Sequence, residues 1–385
     1  MENSEKSLPS KPITFGFARM RVEAGERRDF LPDAIALLDR HGAKVFLEYG
    51  YGRGMGFNEA DYRILAPSAE FVSHQEAYQQ DFVVVLRCPG EEELHLLPPK
   101  TCLISMLHYP TRPVRTGLVR ALGIEAISLD SIKDDNGRRL VENLRAVAWN
   151  GIEVAFRTLR TLYSPPGFES PKRLPVRVTL IGAGAVGMHV VQAAIRHGDP
   201  ALWKEMYERR VPGVQVTTID YDTTYREDIM RELLARTDIL IDATQRPDPT
   251  RPVILNDWIG EMPRHAVLLD LSVDPYDLDC EGNAKSVKGI EGIPQGNLDQ
   301  YVFAPDDPAY DSIPACVSTR QRRYVVSCYS WPGIHPRQCM VVYGHQLSPI
   351  FRTLIERGGI QGVRPRGNYF ERAIGRAMLS RWNGG

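Results

Sequence analysis

Three glycines mark the segment of the chain best suited to hold a phosphate group. Gly182, Gly184 and Gly187 form the sequence GAGAVG, which follows the strand-like run VRVTLI and precedes a helix-like run. Such a turn lets backbone N–H groups and a helix N-terminus approach a pyrophosphate without an intervening Cβ atom, so it predicts a dinucleotide-binding loop. A tight strand-to-helix turn without a ligand is the alternative. Ala185 and Val186, which lie between the glycines, belong to the predicted cofactor-binding residues.

An acidic residue at the end of the next strand-like run sets the expected cofactor. Asp220 closes the run VQVTTID, where a carboxylate would accept hydrogen bonds from the adenosine ribose hydroxyls. It lies farther from the glycines than the usual ~20 residues, because Gly198 can end one helix and Asp199 with Pro200 can begin an extra one. A carboxylate repels a 2′-phosphate, so NAD is predicted over NADP, although Arg226 is close in the sequence.

Polar residues directly follow several other strand-like runs. In doubly wound sheets, ligands bind outside the carboxyl ends of the strands, so these positions are the expected places for chemistry. The residues at such positions are Arg19, Arg21, Arg87, His108, Asp130, Asp242 followed by Ala243 and Thr244, and Asp274. We predict that Asp242, Ala243 and Thr244 contact the cofactor. Cations from the first half of the chain and carboxylates from the second half would together suit a small anionic substrate beside a nicotinamide.

His108 is the candidate for proton transfer. Imidazole has an unperturbed pKa of about 6.5 and could exchange a proton with the heteroatom of a carbonyl or imine as hydride arrives. A hydrogen-bonded structural histidine is the alternative. Asp274 could orient a substrate amine or the nicotinamide ribose, or could only cap the turn before Pro275. The sequence contains no CxxC pair and no HExxH motif, so no metal is predicted.

Alternating strand-like and helix-like segments must position these residues. Up to about residue 135, short apolar runs alternate with segments such as DAIALLDRHG, and the alternation resumes at VRVTLIGAG after the breaker-rich SPPGFESPKRLP. Strands separated by helices of about ten residues predict βαβ units and mainly parallel sheets. The amphipathic segment ENLRAVAWNGIEVAFRTLRTLY predicts a long helix between two α/β domains. A late apolar segment, CMVVYGHQLSPIFRTLIERG, predicts another helix whose docking the sequence leaves open.

Composition narrows the classes of function. The 385 residues include 47 Lys and Arg against 48 Asp and Glu, a formal net charge of -1. This balance argues against a general nucleic-acid or membrane-surface binder, which needs a basic excess. No stretch approaches the ~18 apolar residues of a spanning helix, and the start MENSEKSLPSKP lacks the apolar core of a signal peptide. We therefore expect a cytoplasmic protein without nucleic-acid or membrane partners, and leave homo-oligomerisation open.

Several segments, in order and over nearly the whole chain, resemble the alanine dehydrogenase and pyridine nucleotide transhydrogenase superfamily, which includes the saccharopine dehydrogenases. They are AGERRDFLPDAIALL, VVVLRCP, LISMLHYP, VRVTLIGAGAVG, VLLDLSVD with a following CEG, and SWPGIHP with VVYGHQLSPIF. The stretch DDNGRRLVENLRAVAWNG is closer to the saccharopine-type members. The resemblance implies an α/β fold of two doubly wound Rossmann-like domains with mainly parallel sheets, joined by a long helix and completed by a returning C-terminal helix.

Domain boundaries and residue roles follow from that resemblance. We expect a substrate domain over 1–140, an NAD-binding domain over 141–330 and a segment packing back on the first domain over 331–385, with NAD(H) and substrate meeting between the domains. Arg28 corresponds to the arginine that holds the substrate carboxylate, His108 to the catalytic histidine and Asp274 to the active-site aspartate. Arg87 stands where the family has a lysine, and since a guanidinium stays charged it could polarise a carbonyl or hold a second carboxylate. Trp331 is expected to reshape the substrate pocket.

The expected activity is NAD(H)-dependent oxidoreduction at the CH–NH or CH–NH2 group of an amino acid or opine-like secondary amine. Hydride would pass between nicotinamide C4 and the substrate Cα, with a 2-oxo acid or imine as the oxidised species. A catalytically silent NAD(H)-binding protein with a regulatory or structural role is the alternative, motivated by the missing lysine. A hydroxy-acid dehydrogenase is disfavoured, because such enzymes have their arginine, carboxylate and histidine late in the chain, whereas His108 precedes the glycine loop.

Overall fold

The computed structural model describes residues 12–382 and divides the chain into two compact units. The first unit contains the residues up to Asn143 together with those from His335 onwards, and the second unit spans Leu144–Ile334. The boundaries between the units, at 143/144 and 334/335, lie three and four residues after the predicted domain boundaries at 140/141 and 330/331. Most of the N-terminal stretch used for the localisation prediction lies outside the described residues.

Strands and helices alternate along most of the chain. The strands are β1 Thr14–Phe17, β2 Lys44–Glu48, β3 Glu70–Val72, β4 Phe82–Arg87, β5 Cys102–Met106, β6 Glu125–Ser128, β7 Val176–Ile181, β8 Val214–Ile219, β9 Ile239–Asp242, β10 Val267–Asp270, β11 Asp277–Leu278, β12 Ala284–Ser286, β13 Val302–Phe303 and β14 Tyr324–Ser327. The helices are α1 Pro32–Arg40, α2 Glu59–Leu65, α3 His74–Ala77, α4 Glu91–Leu94, α5 Pro113–Ala121, α6 Leu144–Leu162, α7 Ala185–Ile195, α8 Pro200–Glu208, α9 Tyr221–Thr224, α10 Glu227–Leu234, α11 Asn256–Ile259, α12 Pro336–Glu356 and α13 Tyr369–Ala377.

The first unit contains a parallel sheet with the strand order β3-β2-β1-β4-β5-β6. Its strands, such as FVVVLR in β4, are nearly continuous apolar runs because helices cover both faces of a parallel sheet. The chain order reverses between β1 and β4. At such a switch point the carboxyl ends of neighbouring strands leave a crevice for a ligand.

The late helix α12 completes the core of the first unit. The ring of Phe351 makes edge contacts with Phe15, Phe17 and Phe30, with centroid distances of 5.9, 6.4 and 6.3 Å. Such aromatic pairs add to the stabilisation from apolar burial. The prediction of a returning C-terminal helix is therefore confirmed.

The second unit contains a sheet with the order β13-β14-β10-β9-β7-β8, which is parallel except for the antiparallel edge strand β13. Its switch point lies between β7 and β9. The predicted α/β fold with two doubly wound, mainly parallel sheets is confirmed. Within the described part of the chain, no helix is both long and apolar enough to cross a bilayer.

The extra helix α8, between β7 and β8, is preceded by the residues that the sequence predicts to end one helix and begin the next. Gly198 adopts a left-handed conformation with φ of +65°, and the Asp199 carboxylate accepts hydrogen bonds from the backbone of Ala201 and Leu202 at the start of α8. The insertion leaves the strand end in place, because the Gly182 N–H still donates to the Ile219 carbonyl at 2.9 Å.

Candidate functional site

The glycine loop of the second unit has three positions with different steric surroundings. Gly182 has a φ of +92°, and a Cβ there would lie 2.7 Å from the Ala243 carbonyl oxygen. A Cβ on Gly187 would lie 2.1 Å from the Gly182 carbonyl oxygen. Around Gly184, apart from its chain neighbours and the backbone of its own helix, no described atom lies within 4 Å of that position. The fold itself therefore requires Gly182 and Gly187, whereas Gly184 leaves open space at the N-terminus of α7, as a bound pyrophosphate needs.

The first turn of α7 and the end of β8 flank this open space. Ala185 is exposed and Val186 half-buried, and the first N–H groups of a helix have no partner within the helix. Asp220 directly follows β8, is exposed, and accepts a 2.8 Å hydrogen bond from the Tyr221 N–H. The guanidinium of Arg226 pairs with Asp228 at 2.8 Å. The carboxylate of Asp220 thus lies beside the glycine turn, where the sequence predicts the ribose hydroxyls.

Asp242 lies at the end of β9, as the sequence predicts, and its side chain is held by residues of the protein. It is buried, and its carboxylate accepts hydrogen bonds from the Thr244 N–H at 3.0 Å, the Thr244 hydroxyl at 2.7 Å and the Ser272 hydroxyl at 2.9 Å. The side chain is therefore used within the protein rather than facing a ligand. Ala243 and Thr244 are half-buried and their backbone packs on Gly182, so Asp242 shapes the loop indirectly.

The buried carboxyl of Asp242 predicts a pH-dependent stability. Burial, and then the charge of Asp270, raise the pKa of Asp242 to about 6. The folded state therefore binds this proton more readily than the unfolded chain, in which the pKa of an aspartate is about 3.9. The stabilisation that proton binding gives is complete below pH ~4 and is lost as the pH rises through ~6. Asp242→Asn keeps an oxygen acceptor and removes the charge. We expect the free energy of unfolding of this variant to exceed that of the wild type by about 2 kcal/mol at pH ~7.

Urea unfolding across this pH range measures the effect. The difference between variant and wild type should shrink towards zero below pH ~4. Parallel pH profiles for wild type and Asp242→Asn would contradict the account.

In the first unit, His108 is held just beyond the end of β5. Its backbone lies in the left-handed region, with φ of +53°, and its N–H donates to Asp130 Oδ1 at 3.1 Å. Its Nδ1 lies 3.4 Å from Asp130 Oδ2, and the side chain is 42% exposed. Ser128 donates a further 2.6 Å hydrogen bond to Asp130 Oδ1.

The electrostatics of this pair define how the imidazole can act. Burial disfavours the charged form of Asp130, but the hydrogen bonds and charge of His108 and the hydroxyl of Ser128 hold the pKa of Asp130 well below its usual range. The ionised carboxylate therefore accepts a hydrogen bond from Nδ1–H, which leaves Nε2 of His108 as the atom able to exchange a proton with a bound molecule.

Arg28 and Arg87, the two arginines predicted to bind carboxylates, each form an ion pair with a glutamate of the segment 23–26. Arg87 closes β4, beside β5, and its guanidinium forms an ion pair with Glu23. Arg28 is 3% exposed, and its Nε and Nη2 contact the two oxygens of Glu26 at 2.9 and 2.5 Å. A substrate carboxylate would have to exchange with, or share, these glutamates.

Tyr343 on α12 links the surroundings of both arginines. Burial and Cys339 raise the pKa of its phenol, while the nearby charges of Arg28 and Arg87 oppose that shift. Both guanidinium groups thus lie within electrostatic reach of one phenol. The sequence does not reveal this, because Tyr343 stands among the apolar positions of an amphipathic helix.

In the second unit, Asp274 lies at the surface and Trp331 in the core. The Asp274 carboxylate is 34% exposed and pairs with Arg246 at 2.8 Å. Trp331 is 1% exposed, and its indole N–H donates to the Asp270 carbonyl at 2.8 Å. The structure therefore places Trp331 in the core of this unit rather than on a surface that a substrate could contact. In the described residues, no group of three or more His, Cys, Asp or Glu is arranged to hold a metal ion.

Comparison with known proteins identifies a family domain in the first part of the chain. Residues 21–148, which include Arg28, Arg87 and His108, match the family described as the alanine dehydrogenase/PNT N-terminal domain. This segment of the chain therefore belongs to the alanine dehydrogenase/PNT N-terminal domain family. Alanine dehydrogenase from Bacillus subtilis is 23% identical over 346 residues, covering 86% of this chain and 83% of that protein. Alanine dehydrogenase from Halomonas elongata is 22% identical over 254 residues, covering 63% and 68%.

Solved structures agree on the fold. An L-alanine dehydrogenase superposes with a TM-score of 0.69 at 18% identity, covering 95% of this chain and 94% of the other. A transhydrogenase from Sinorhizobium meliloti gives a TM-score of 0.59 at 17% identity, covering 89% and 94%. At these identities the likeness shows the fold alone.

Proposed function

We propose that this protein is an NAD(H)-dependent oxidoreductase acting on the CH–NH or CH–NH2 group of an amino acid or opine-like secondary amine. The observation that supports it most directly is His108, held by the ionised Asp130 next to the strand that ends in Arg87. This arrangement lies within the segment that matches the alanine dehydrogenase N-terminal domain. Proton exchange at Nε2 is what such chemistry requires of the protein.

The second unit supplies the residues for the cofactor. Gly184, Ala185 and Val186 would bind the pyrophosphate, Gly182 and Gly187 make the turn possible, and Asp220 would bind the adenosine ribose. Ala243 and Thr244 form the neighbouring wall, positioned by Asp242. When bound, NAD(H) supplies or accepts hydride at nicotinamide C4.

The remaining steps belong to residues of this chain. In the reductive direction a 2-oxo acid, an amine, NADH and a proton give an amino acid, NAD+ and water. His108 Nε2 donates the proton that lets the carbonyl oxygen leave as water, and accepts one when the reaction runs backwards. Arg28 binds the substrate carboxylate, Arg87 polarises the carbonyl or binds a second carboxylate, and Asp274 orients the amine or the nicotinamide ribose.

A catalytically silent NAD(H)-binding protein is the second candidate, favoured by Arg87 in place of the family lysine. A panel of 2-oxo acids with ammonia, lysine and other amines, monitored through NADH absorbance, separates the two. Turnover of at least one pair is expected. Tight NADH binding without turnover of any pair would instead support the silent protein. The cytoplasmic location and any homo-oligomeric state stay predictions.

The carboxylate of Asp220 predicts that the protein binds NADH more tightly than NADPH. Asp220→Ala removes the charge that repels a 2′-phosphate, so the ratio of affinities for NADH over NADPH should fall by about tenfold. Fluorescence titration of both dinucleotides measures that ratio. Asp222→Ala, on the same short helix, is the matched control and should leave it unchanged. An unaltered ratio in Asp220→Ala would place the ribose elsewhere.

A further inference from the structure

Three neighbouring strands of the second sheet end in polar residues that lie in register. Asp270 of β10 pairs with Asp242 of β9 on one side and with Ser327 of β14 on the other. Asp270 Oδ2 accepts hydrogen bonds from Lys288 Nζ at 2.8 Å and from the Ser327 hydroxyl at 3.1 Å. The side chains of Lys288 and Asp270 are each 1% exposed, so both charges of this ion pair are buried.

The other oxygen of Asp270 holds a strained turn. Val273 has a φ of +61°, which a β-branched residue rarely adopts. Its N–H donates to Asp270 Oδ1 at 2.9 Å. Strain of this kind persists only where the surroundings impose it, and it concentrates at functional sites. The next residue along the chain is Asp274, which pairs with Arg246.

These contacts close into a ring. Arg246 also donates to the carbonyl of Val287, the residue before Lys288. The ring therefore runs from Lys288 to Asp270, through the Val273 turn to Asp274, and through Arg246 back to Val287. Ser272 connects this ring to Asp242, because its hydroxyl contacts Asp270 Oδ1 at 3.1 Å and Asp242 Oδ2 at 2.9 Å.

We propose that Lys288 and Asp270 are positioning residues, which fix the Asp274 carboxylate and, through Ser272 and Asp242, the segment packed on Gly182. A buried ion pair is often no more stabilising than apolar residues of the same volume, so stability alone does not account for this one. Removing the lysine would leave Asp270 buried without its counter-charge and release the turn that aims Asp274 at Arg246. The inference rests on the proposed function in one respect, that Asp274 faces bound NADH or substrate.

A double-mutant cycle tests the proposal. NADH dissociation constants and the KM for the amino acid are measured for wild type, Asp274→Asn, Lys288→Met and the double variant. We expect each single variant to weaken one of these quantities by about tenfold, and Asp274→Asn to add less than about twofold in the Lys288→Met background. Fully additive effects in both quantities would overturn the proposal, because a merely structural lysine would act independently of Asp274.

Hydrogen exchange gives a readout that needs neither NADH nor turnover. The amides of residues 271–274 should exchange faster in Lys288→Met than in wild type. Leu234→Ala, a core substitution on α10 of the same unit, is the control for general destabilisation and should leave their exchange rates unchanged. If Lys288→Met does not fold, Asp270→Ala/Lys288→Met removes both charges together with the oxygen that accepts from Val273. The same faster exchange is expected there, and wild-type exchange would overturn the proposal whether or not the chain proves to be an oxidoreductase.

Discussion

Replacing His108 with alanine is expected to lower kcat by about 10²–10⁴-fold, the usual contribution of a positioned general acid and base. The substitution removes the only group at the β5 edge that we assign to proton transfer. The glycine loop lies in the other unit, so the NADH dissociation constant should stay within about twofold of the wild-type value. Steady-state turnover and fluorescence titration of NADH measure the two quantities.

The control for His108 is His95, an exposed histidine of the same unit whose Nδ1 contacts the Glu91 carbonyl. His95→Ala should leave kcat unchanged. Asp130→Asn should lower kcat with the same unchanged NADH affinity, because it removes the ionised partner of Nδ1. If His108→Ala turned over at the wild-type rate, the assignment of the proton-transfer residue would be wrong.

Replacing Gly184 with alanine is expected to weaken NADH binding by about 10- to 100-fold without loss of stability. Its φ of -68° suits any residue, and apart from its chain neighbours and the backbone of its own helix a Cβ there meets no described atom within 4 Å, so the fold can accept it. The added methyl group would occupy the space into which the pyrophosphate must come. Thermal unfolding and NADH titration separate the two effects.

Gly213 offers a matched control, because a Cβ there also has open space around it and its φ is not in the left-handed region. Gly213→Ala should change neither NADH affinity nor the melting temperature. Gly187→Ala should instead lower the melting temperature, since its Cβ would collide with the Gly182 carbonyl. Wild-type NADH affinity in Gly184→Ala would show that the phosphates bind elsewhere.

The fold could be predicted because its signals are local. Apolar runs such as FVVVLR, the stop at Gly198 and the cap at Asp199 each act through neighbouring residues, and they predicted β4 and the α8 insertion. The strands β3, β11, β12 and β13 were not predicted because each is only two or three residues long, too short to show a periodic pattern.

The sequence could predict the positions of the candidate site residues but not the contacts of their side chains. The strand-end rule found His108, Arg87 and Asp274, but side-chain partners come from remote segments, so the sequence could not show Glu23 on Arg87 or Lys288 on Asp270. The role of Trp331 stays a prediction, because a large aromatic suits a substrate pocket and a core equally well. In the structure its buried indole N–H donates to a backbone carbonyl.

The central claim is hydride transfer to the Cα of an amino acid, and isotope transfer tests it most directly. NADH carrying deuterium at the transferred C4 position is incubated with the chain, a 2-oxo acid and an amine, and the product is analysed by mass spectrometry. Our account predicts an amino acid or secondary amine with one deuterium at Cα, and at most about one hundredth as much of it with His108→Ala over the same time. Oxidation of NADH without deuterium at Cα, or binding of NADH with no labelled product from any pair, would contradict it.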